Sequence, residues 1–302
     1  VSLKSFFGHC MGVTGLLEAT CGLYAMREGF VPPTINFTEP RPGCNLDYVP
    51  NTPREKRYRC FISSNYAFGG NNAAVVISSW DERSAAPRSA EERTVVTGAG
   101  TVTSLGLGSR PLLAALRSGN TGIGDTGRLG LPHTRSSMAG LVPPFRASEV
   151  DRRLDFSGLN SISRFAVAAS SLALSDAGLR VTRRNAEDVG IAMGVCNGPP
   201  ETAHMDKVFG SDTYGADIGS FSNITANSTA GWVSSALCLK GVNTSVAPGP
   251  HAGLQSLAYA HLALHRGRSK AVLAAAADEV YPQTYFNYDM IGYLFRGEEE
   301  RD

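Results

Sequence analysis

Blocks of apolar residues separated by polar and glycine-rich stretches predict alternating helices and strands along the chain. Residues 16–26 are mostly small or apolar and are followed by Gly29, which is typical of a helix with a glycine cap. Residues 161–174 carry apolar side chains at i, i+3 and i+4 spacing, which predicts an amphipathic helix that ends near Gly178. Other helices are predicted at 112–116, at 224–239 and in the segment that runs up to residue 265.

Short runs rich in β-branched and small apolar residues predict the strands. These runs are residues 58–63, 73–78, 94–97, 189–195, 242–247 and 271–277. We expect the strand at 73–78 to be buried, because it is continuously apolar. The alternation of strands and helices indicates a mixed α/β fold.

Two features between residues 81 and 103 bear on domain organisation and ligand binding. Residues 81–92 are polar and aperiodic, which predicts a linker. The strand that follows runs into Gly98-Ala99-Gly100, a pattern that suggests a dinucleotide site. The third glycine of that motif would fall at Thr103, whose Cβ prevents close helix packing, so we reject a nucleotide site.

Composition narrows the classes of function. The 302 residues are 42% hydrophobic and 18% charged, which allows one large domain or two smaller ones with a sizeable core. The net charge of +1 gives no support to a nucleic-acid binder. The six cysteines are scattered without metal-ligand spacing, so we expect reduced thiols, a cytoplasmic protein and no metal site. No apolar run is long enough for a membrane span.

The opening segment carries the first candidate chemistry. Lys4 and His9 lie five residues apart, and Gly8, Gly12 and Gly15 surround the histidine. We expect His9 in a loop or first turn at the N-terminus of the following helix, where the helix dipole disfavours a protonated imidazole. A neutral histidine beside a lysine and free backbone N–H groups suits a developing oxyanion or a carboxylate.

A second candidate site is the turn between the strand at 242–247 and the next helix. Such a strand–turn–helix segment holds the nucleophile in many acyl-transfer enzymes. Here Pro250 and His251 occupy the position where a cysteine or serine would stand. We interpret His251 as a surface or interface histidine at a helix N-terminus, with a surrogate base as the alternative.

The glycine-rich opening segment resembles the β-ketoacyl synthase family of fatty-acid and polyketide assembly. Its lysine, histidine and glycines match the family's K…GHxxGxxG motif, and residues 67–72 match the GFGGxN loop, which contains Phe68. Residues 1–80 are therefore similar to the C-terminal part of a ketosynthase unit. The resemblance implies a thiolase-like fold with layered α/β/α/β/α sheets.

Residues 93–302 resemble the N-terminal part of a second ketosynthase unit, joined to the first by the linker at 81–92. The strand at 95–97, the helix at 169–178 and the segment at 241–256 carry this resemblance. Pro250 stands at the family's nucleophile position and has no nucleophilic side chain, so the second unit is similar to a chain-length factor. The resemblance implies two incomplete ketosynthase-type units, cut at both ends and without the family's other catalytic histidine.

The resemblance also implies a reaction, the decarboxylative Claisen condensation of acyl and malonyl thioesters. Acyl carrier protein would deliver both on phosphopantetheine, and no bound cofactor is implied. His9 would bind the thioester carbonyl and stabilise the enolate, Lys4 would orient and tune His9, and the backbone N–H of Phe68 would complete an oxyanion hole. The family further implies a dimer, or a pseudo-dimer of the two units.

Two alternatives stay open at this point. The missing cysteine and histidine favour an inactive scaffold, or a unit that docks carrier protein. A thiolase or acyltransferase of the same fold would need Cys10, directly after His9, to act as a base with a low pKa. The isolated chain is expected to be inactive, because it lacks the nucleophile.

Overall fold

The computed structural model describes residues 1–67, 70–79, 94–131, 134–197, 223 and 225–295. Its helices are Lys4–Phe7 (α1), Thr14–Glu28 (α2), Ser109–Ser118 (α3), Ala147–Val150 (α4), Ser161–Asp176 (α5), Ser228–Leu237 (α6), Ala252–His265 (α7) and Pro282–Met290 (α8). Its strands are Phe30–Val31 (β1), Arg54–Glu55 (β2), Cys60–Tyr66 (β3), Asn72–Ser78 (β4), Val102–Thr103 (β5), Gly106–Leu107 (β6), Gly124–Asp125 (β7), Met138–Ala139 (β8), Val189–Gly194 (β9), Asn243–Val246 (β10) and Ala271–Ala276 (β11). Short 3-10 turns cover Met11–Val13, Gly127–Leu129 and Ala186–Asp188.

A parallel three-stranded sheet, in the order β10-β9-β11, forms the centre of the molecule. The middle strand β9 is buried along its whole length, as expected where helices cover both faces of a parallel sheet. Helices α5 and α6 pack against each other and on this sheet, and α7 packs on all three strands. The buried side chains of Ile162, Val167, Ile191, Met193 and Val233 fill the core between α5, α6 and the sheet.

The other elements extend this arrangement into four layers. Helix α7 packs against α2, and α2 lies on the antiparallel hairpin β3–β4. The described residues thus stack as the pair α5 and α6, the parallel sheet, the pair α7 and α2, and the hairpin. On the outer face of the hairpin, Ile62, Tyr66 and Val76 are 68%, 75% and 64% exposed. The expectation that residues 73–78 form a buried strand is therefore wrong, since β4 alternates between exposed and half-buried positions.

A second core joins the opening segment to residues beyond the predicted linker. Phe6, Tyr24 and Phe30 are buried together with Leu112 and Leu116 of α3. Residues on both sides of the predicted linker therefore share one apolar cluster. The linker at 81–92 itself lies outside the described residues, and the division of the chain at 80 and 93 stays a prediction.

Residues 94–97 do not form the predicted strand, and Val95 and Val96 are more than half exposed. The two glycines that follow have a packing role. A methyl group at Gly98 would lie 2.4 Å from the backbone nitrogen of Ala177, and one at Gly100 would lie 2.2 Å from the carbonyl oxygen of Ala169. The Gly-x-Gly pattern therefore permits the chain to lie directly on α5.

The predicted helices are confirmed, with small differences in their ends. Helix α2 ends at Gly29, which adopts φ 78° and donates its N–H to the carbonyls of Ala25 and Met26. Helix α5 begins after Asn160, whose side chain accepts a hydrogen bond from the Ser163 N–H at 3.1 Å. Helix α8 was not predicted, although Pro282 in its first turn is a start signal. Within the described ranges, no helix is both long and apolar enough to cross a membrane.

Candidate active site

Three parts of the chain meet at the carboxyl end of the parallel sheet: the loop before α2, the turn before α7, and the residues that follow β9 and β11. His9, Asn197, Pro250 and Asp278 from these parts line one cavity of about 2090 Å³. Strand β10 ends at Val246 and α7 begins at Ala252, so the strand–turn–helix geometry is confirmed. We call residues 248–253 the elbow turn. His9 and Pro250 of the elbow turn thus line the same cavity.

Glycines allow the loop before α2, the start of α7 and the ends of β9 and β11 to pack closely. A methyl group at Gly12 would lie 2.7 Å from Oδ2 of Asp278 and 2.9 Å from Cβ of Cys196. One at Gly253 would lie 2.8 Å from the carbonyl oxygen of Gly12. One at Gly15 would meet a side chain of α7 at 2.7 Å. The glycine spacing of the opening segment therefore reflects close packing of α2 on α7 and on the end of β9.

His9 lies in the loop before the Met11–Val13 turn, as predicted, and its side chain is exposed to the cavity. Its Nδ1 accepts a hydrogen bond from the Met11 N–H at 3.0 Å, and the Thr14 hydroxyl oxygen lies 3.3 Å from the same atom. A backbone N–H only donates, so Nδ1 carries no proton in this geometry. The proton of the neutral ring is therefore on Nε2, which is a donor.

Lys4 acts on His9 from a distance. Its ammonium group lies 2.9 Å from Oε1 of Glu18, and the two side chains are 40% and 15% exposed. The surrounding protein desolvates the His9 ring and so lowers its pKa, and the positive charge of Lys4 lowers this pKa further. Glu18 acts in the opposite direction. The ion pair thus adjusts the pKa of His9, which desolvation lowers most, and Glu18 is a partner that the sequence did not indicate.

Asp278 is a second residue of this site that the sequence reasoning missed. Its Oδ1 accepts hydrogen bonds from the backbone N–H groups of Cys196 at 3.1 Å and Asn197 at 3.0 Å. Burial raises the pKa of this carboxyl to about 6, although the hydrogen bonds from the backbone oppose the shift. Asp278 lies just past the carboxyl end of β11. Because the carboxyl ends of parallel strands meet at one edge of the sheet, where ligands bind, this position in the sequence could have indicated a site residue.

The cysteines near His9 are poor bases. Burial raises the pKa of Cys10 to about 12, and the thiol points to the carbonyl oxygens of Phe7 and Gly8 at 3.7 and 3.8 Å. Burial also raises the pKa of Cys196 to about 11, with a further contribution from Asp278. A thiol with a raised pKa stays protonated at neutral pH. The geometry therefore does not favour the thiolase alternative, which needs a reactive Cys10.

Two other predicted residues, His251 and Phe68, differ in outcome. His251 is 4% exposed and directly precedes α7, so it is not a surface histidine; its interpretation as an interface histidine stays a prediction. Phe68 lies outside the described residues, and its proposed oxyanion role stays a prediction.

Within the described part of the chain, no three histidine, cysteine, aspartate or glutamate side chains cluster as metal ligands would. The site as described can donate a hydrogen bond from a neutral imidazole to an oxygen in a large cavity.

Comparison with known families agrees with this fold. The family model described as "Beta-ketoacyl synthase, N-terminal domain" matches residues 91–301, which is more than half of the chain. The model described as "Beta-ketoacyl synthase, C-terminal domain" matches residues 1–38. The chain therefore belongs to the β-ketoacyl synthase family. The C-terminal-domain match precedes the N-terminal-domain match along this chain.

Among curated relatives, nodulation protein E of Rhizobium meliloti is 46% identical over 74 residues, which are 24% of this chain and 18% of that protein. The 3-oxoacyl-[acyl-carrier-protein] synthase 2 of Coxiella burnetii is 43% identical over 77 residues, 26% of this chain and 19% of that protein. The tetracenomycin polyketide synthase ketoacyl synthase alpha subunit of Streptomyces glaucescens is 44% identical over 77 residues, 26% of this chain and 18% of that protein. The chain thus matches less than a fifth of the length of each relative.

Solved structures identify the fold. A β-ketoacyl synthase from Burkholderia phymatum matches with a TM-score of 0.58 and 25% identity, over 68% of this chain and 52% of that one. The ishigamide ketosynthase/chain length factor matches with a TM-score of 0.60 and 22% identity, over 67% of this chain and 51% of that one. The predicted thiolase-like α/β fold is therefore confirmed, and the chain spans about half of each solved ketosynthase.

Proposed function

We propose that the complete protein catalyses the decarboxylative Claisen condensation of an acyl thioester with a malonyl thioester, in fatty-acid or polyketide chain elongation. The observation that carries the proposal is His9. Its Nδ1 is occupied by donors of the chain, so the ring offers an Nε2–H donor to the cavity that the elbow turn also lines. A neutral donor of this kind suits an oxygen that becomes negative during the reaction.

The reaction proceeds in two bond-changing steps. The bond between the carboxylate carbon and the α-carbon of the malonyl thioester breaks, and CO₂ leaves. The electron pair stays as an enolate, whose charge is on the thioester oxygen, where the Nε2–H of His9 donates a hydrogen bond. The enolate carbon then attacks the acyl thioester carbonyl, a carbon–carbon bond forms, and the thiolate that held the acyl group leaves. Lys4 keeps His9 neutral, and the N–H of Phe68 serves as a second oxyanion donor.

The proposed substrates arrive on the phosphopantetheine arm of acyl carrier protein, and the reaction needs no bound cofactor. A solved neighbour supports this partner: it is a type II polyketide acyl-carrier protein in complex with its ketosynthase, with a TM-score of 0.51 to this chain over 64% of its length. The name of the ishigamide neighbour, a ketosynthase/chain length factor, supports a paired assembly. We propose the same for this protein, as a dimer or pseudo-dimer of ketosynthase-type units.

The second unit, residues 93–302, is proposed to be degenerate and similar to a chain-length factor. Pro250 lines the cavity in the elbow turn, where the nucleophile would project from the N-terminus of α7. Proline has neither a thiol nor a hydroxyl group, so this unit cannot carry the acyl chain there. The acyl thioester of the proposed reaction must therefore form on a cysteine supplied by another unit.

The experiment that tests this function is a condensation assay on the complete protein with acyl- and malonyl-carrier protein. His9→Ala removes the oxyanion donor and is expected to lower kcat roughly 10²- to 10³-fold, as the loss of one such donor does elsewhere. Pro250→Ala serves as the matched control in the same cavity and is expected to change kcat little. Normal turnover by His9→Ala would overturn the proposal.

A second candidate, an inactive scaffold that docks carrier protein, is favoured by one observation, the proline in the elbow turn. The two functions give different results when the native gene product is incubated with acyl-carrier protein and its intact mass is measured by mass spectrometry. An acylated polypeptide, labelled at a cysteine outside the elbow turn, supports the condensing enzyme. A stable carrier-protein complex with no acylated polypeptide supports the scaffold.

A further inference from the structure

The Nδ1 atom of His9 has two neighbours that can donate to it. The Met11 N–H lies 3.0 Å away and must be a donor. The Thr14 hydroxyl lies 3.3 Å away and can either donate or accept. Because the amide already requires an unprotonated Nδ1, the hydroxyl has no ring proton to accept and must donate as well. Both groups therefore favour the same tautomer.

The surroundings of Thr14 favour its hydroxyl as a hydrogen-bond donor to Nδ1 of His9. Thr14 is the first residue of α2 and is 0% exposed. A buried hydroxyl without a partner is costly, and within the described residues the hydrogen bond of this hydroxyl is to His9. Met11 adopts φ 45°, a left-handed conformation that is uncommon for a residue with a side chain. The chain thus holds an unfavourable backbone turn at the point where its amide meets the ring.

We propose that Thr14 is a positioning residue for His9: its hydroxyl, together with the Met11 amide, holds the ring as the Nε2–H tautomer and leaves that N–H as the donor for a ligand in the cavity. The tautomer follows from the hydrogen bonds alone. Its catalytic consequence rests on the proposed condensation. Lys4 and Glu18 are the charged groups that act on the same ring, and neither contacts Nδ1 among the described residues.

The test is a two-bond ¹H–¹⁵N correlation spectrum of the imidazole rings in the full 302-residue chain, with His9 assigned by its loss in His9→Gln. The wild type is expected to show a single Nε2–H tautomer for His9 at pH 7. Thr14→Val, which keeps the shape and removes the hydroxyl, is expected to raise the titration midpoint of His9 by roughly half to one pH unit, because the neutral form loses a donor. The Nε2–H tautomer is expected to remain in this variant, because the Met11 N–H still donates to Nδ1.

Two matched variants make the result specific. Thr14→Ser keeps the hydroxyl and is expected to restore the wild-type spectrum. Thr20→Val removes a hydroxyl from the same helix, one that donates to the Leu16 carbonyl at 2.9 Å, and is expected to leave His9 unchanged. An Nδ1–H tautomer in the wild type would overturn the proposal, and so would a titration midpoint of His9 that stays the same in Thr14→Val. If Thr14→Val does not fold, Thr14→Ala removes the same hydroxyl, and its His9 midpoint decides.

An activity readout separates this proposal from the proposed function. In the complete protein, Thr14→Val is expected to lower kcat about three- to tenfold with little change in KM, since one hydrogen bond to the ring is lost. If His9→Ala turns over normally while the NMR result stands, the condensation proposal fails and the positioning of His9 by Thr14 remains. If the enzyme needs His9 but its ring is unaffected by Thr14→Val, only the positioning proposal fails.

Discussion

At the scale of single residues, the charge of His9 depends on two opposed neighbours. Lys4 lowers the pKa of His9 and Glu18 raises it, and the two side chains are themselves paired at 2.9 Å. Desolvation of the ring by the surrounding protein acts in the same direction as Lys4 and is the larger effect. A histidine that must donate a hydrogen bond near neutral pH benefits from this arrangement, because it resists protonation.

We therefore expect Lys4→Met and Glu18→Gln to move the titration of His9 in opposite directions. Lys4→Met removes a positive charge and leaves Glu18 unpaired, so the pKa of His9 should rise. Glu18→Gln removes a negative charge and frees Lys4, so the same pKa should fall. NMR titration of the ring measures both shifts in one experiment. Shifts of equal sign in the two variants would contradict the assignment.

At this scale, the sequence predicted some site residues and not others for a physical reason. Lys4 and His9 belong to one short motif with recognisable chemistry and spacing. Glu18 and Thr14 lie on the next helix, where a single sequence gives no sign that they face the histidine. Asp278 is 269 positions further along than His9, and only the packing of the turn before α2 against the end of the central sheet brings the two into one cavity.

At the scale of elements, the contact of the Met11–Val13 turn with the parallel sheet leaves no room for a side chain at Gly12. Gly12→Ala places a methyl group 2.7 Å from an oxygen of Asp278 and 2.9 Å from Cβ of Cys196. We expect it to lower the free energy of unfolding by about 1–3 kcal/mol, since neighbouring backbone must shift. Urea denaturation of the full chain measures this change.

Gly231→Ala provides the matched control, because Gly231 lies inside α6 and an added methyl group there would have no neighbouring atom within 4 Å. Alanine is the better helix former there by roughly 1 kcal/mol, so this variant is expected to be more stable than the wild type. Equal effects of the two substitutions would show that the turn does not pack as closely as described.

Elements with strong local patterns were predictable, and those that depend on a partner were not. Helix α5 follows from its own apolar spacing, and β9 from its apolar run. Residues 94–97 have a strand-like composition, yet the structure leaves them unpaired while the glycines that follow pack on α5. Strand β4 is apolar on both faces, but only one face has neighbouring helices. Composition alone does not tell which face is covered.

At the scale of the whole molecule, Asp278 links the parallel sheet to the segment before α2. Its carboxyl has a pKa of about 6, against 3.8 for the ordinary group. Between these two values the native state binds more protons than the unfolded state, so this group contributes stability below about pH 4 that is lost as the pH rises through 6. A shift of about two units corresponds to roughly 3 kcal/mol.

Asp278→Asn keeps an oxygen for the two backbone donors and removes the titration. We expect the difference in unfolding free energy between this variant and the wild type to grow in favour of the variant from pH 4 to pH 7, by up to roughly 3 kcal/mol. Denaturant unfolding at four pH values measures it. Asp47→Asn is the control, because Arg54 lowers the pKa of Asp47 to about 2, so its stability difference should be nearly independent of pH from 4 to 7. A difference that is independent of pH would contradict the prediction for Asp278.

The order of the layers along the chain has a consequence for synthesis on the ribosome. Helix α2 is made early, whereas α7, on which it packs, begins more than 220 residues later. At usual elongation rates of about 5–20 residues per second, α2 and its hairpin wait roughly 10 to 50 s for that surface. During this interval α7 does not yet cover α2 and the hairpin, so the topology itself prolongs the time in which this surface is open to non-native contacts.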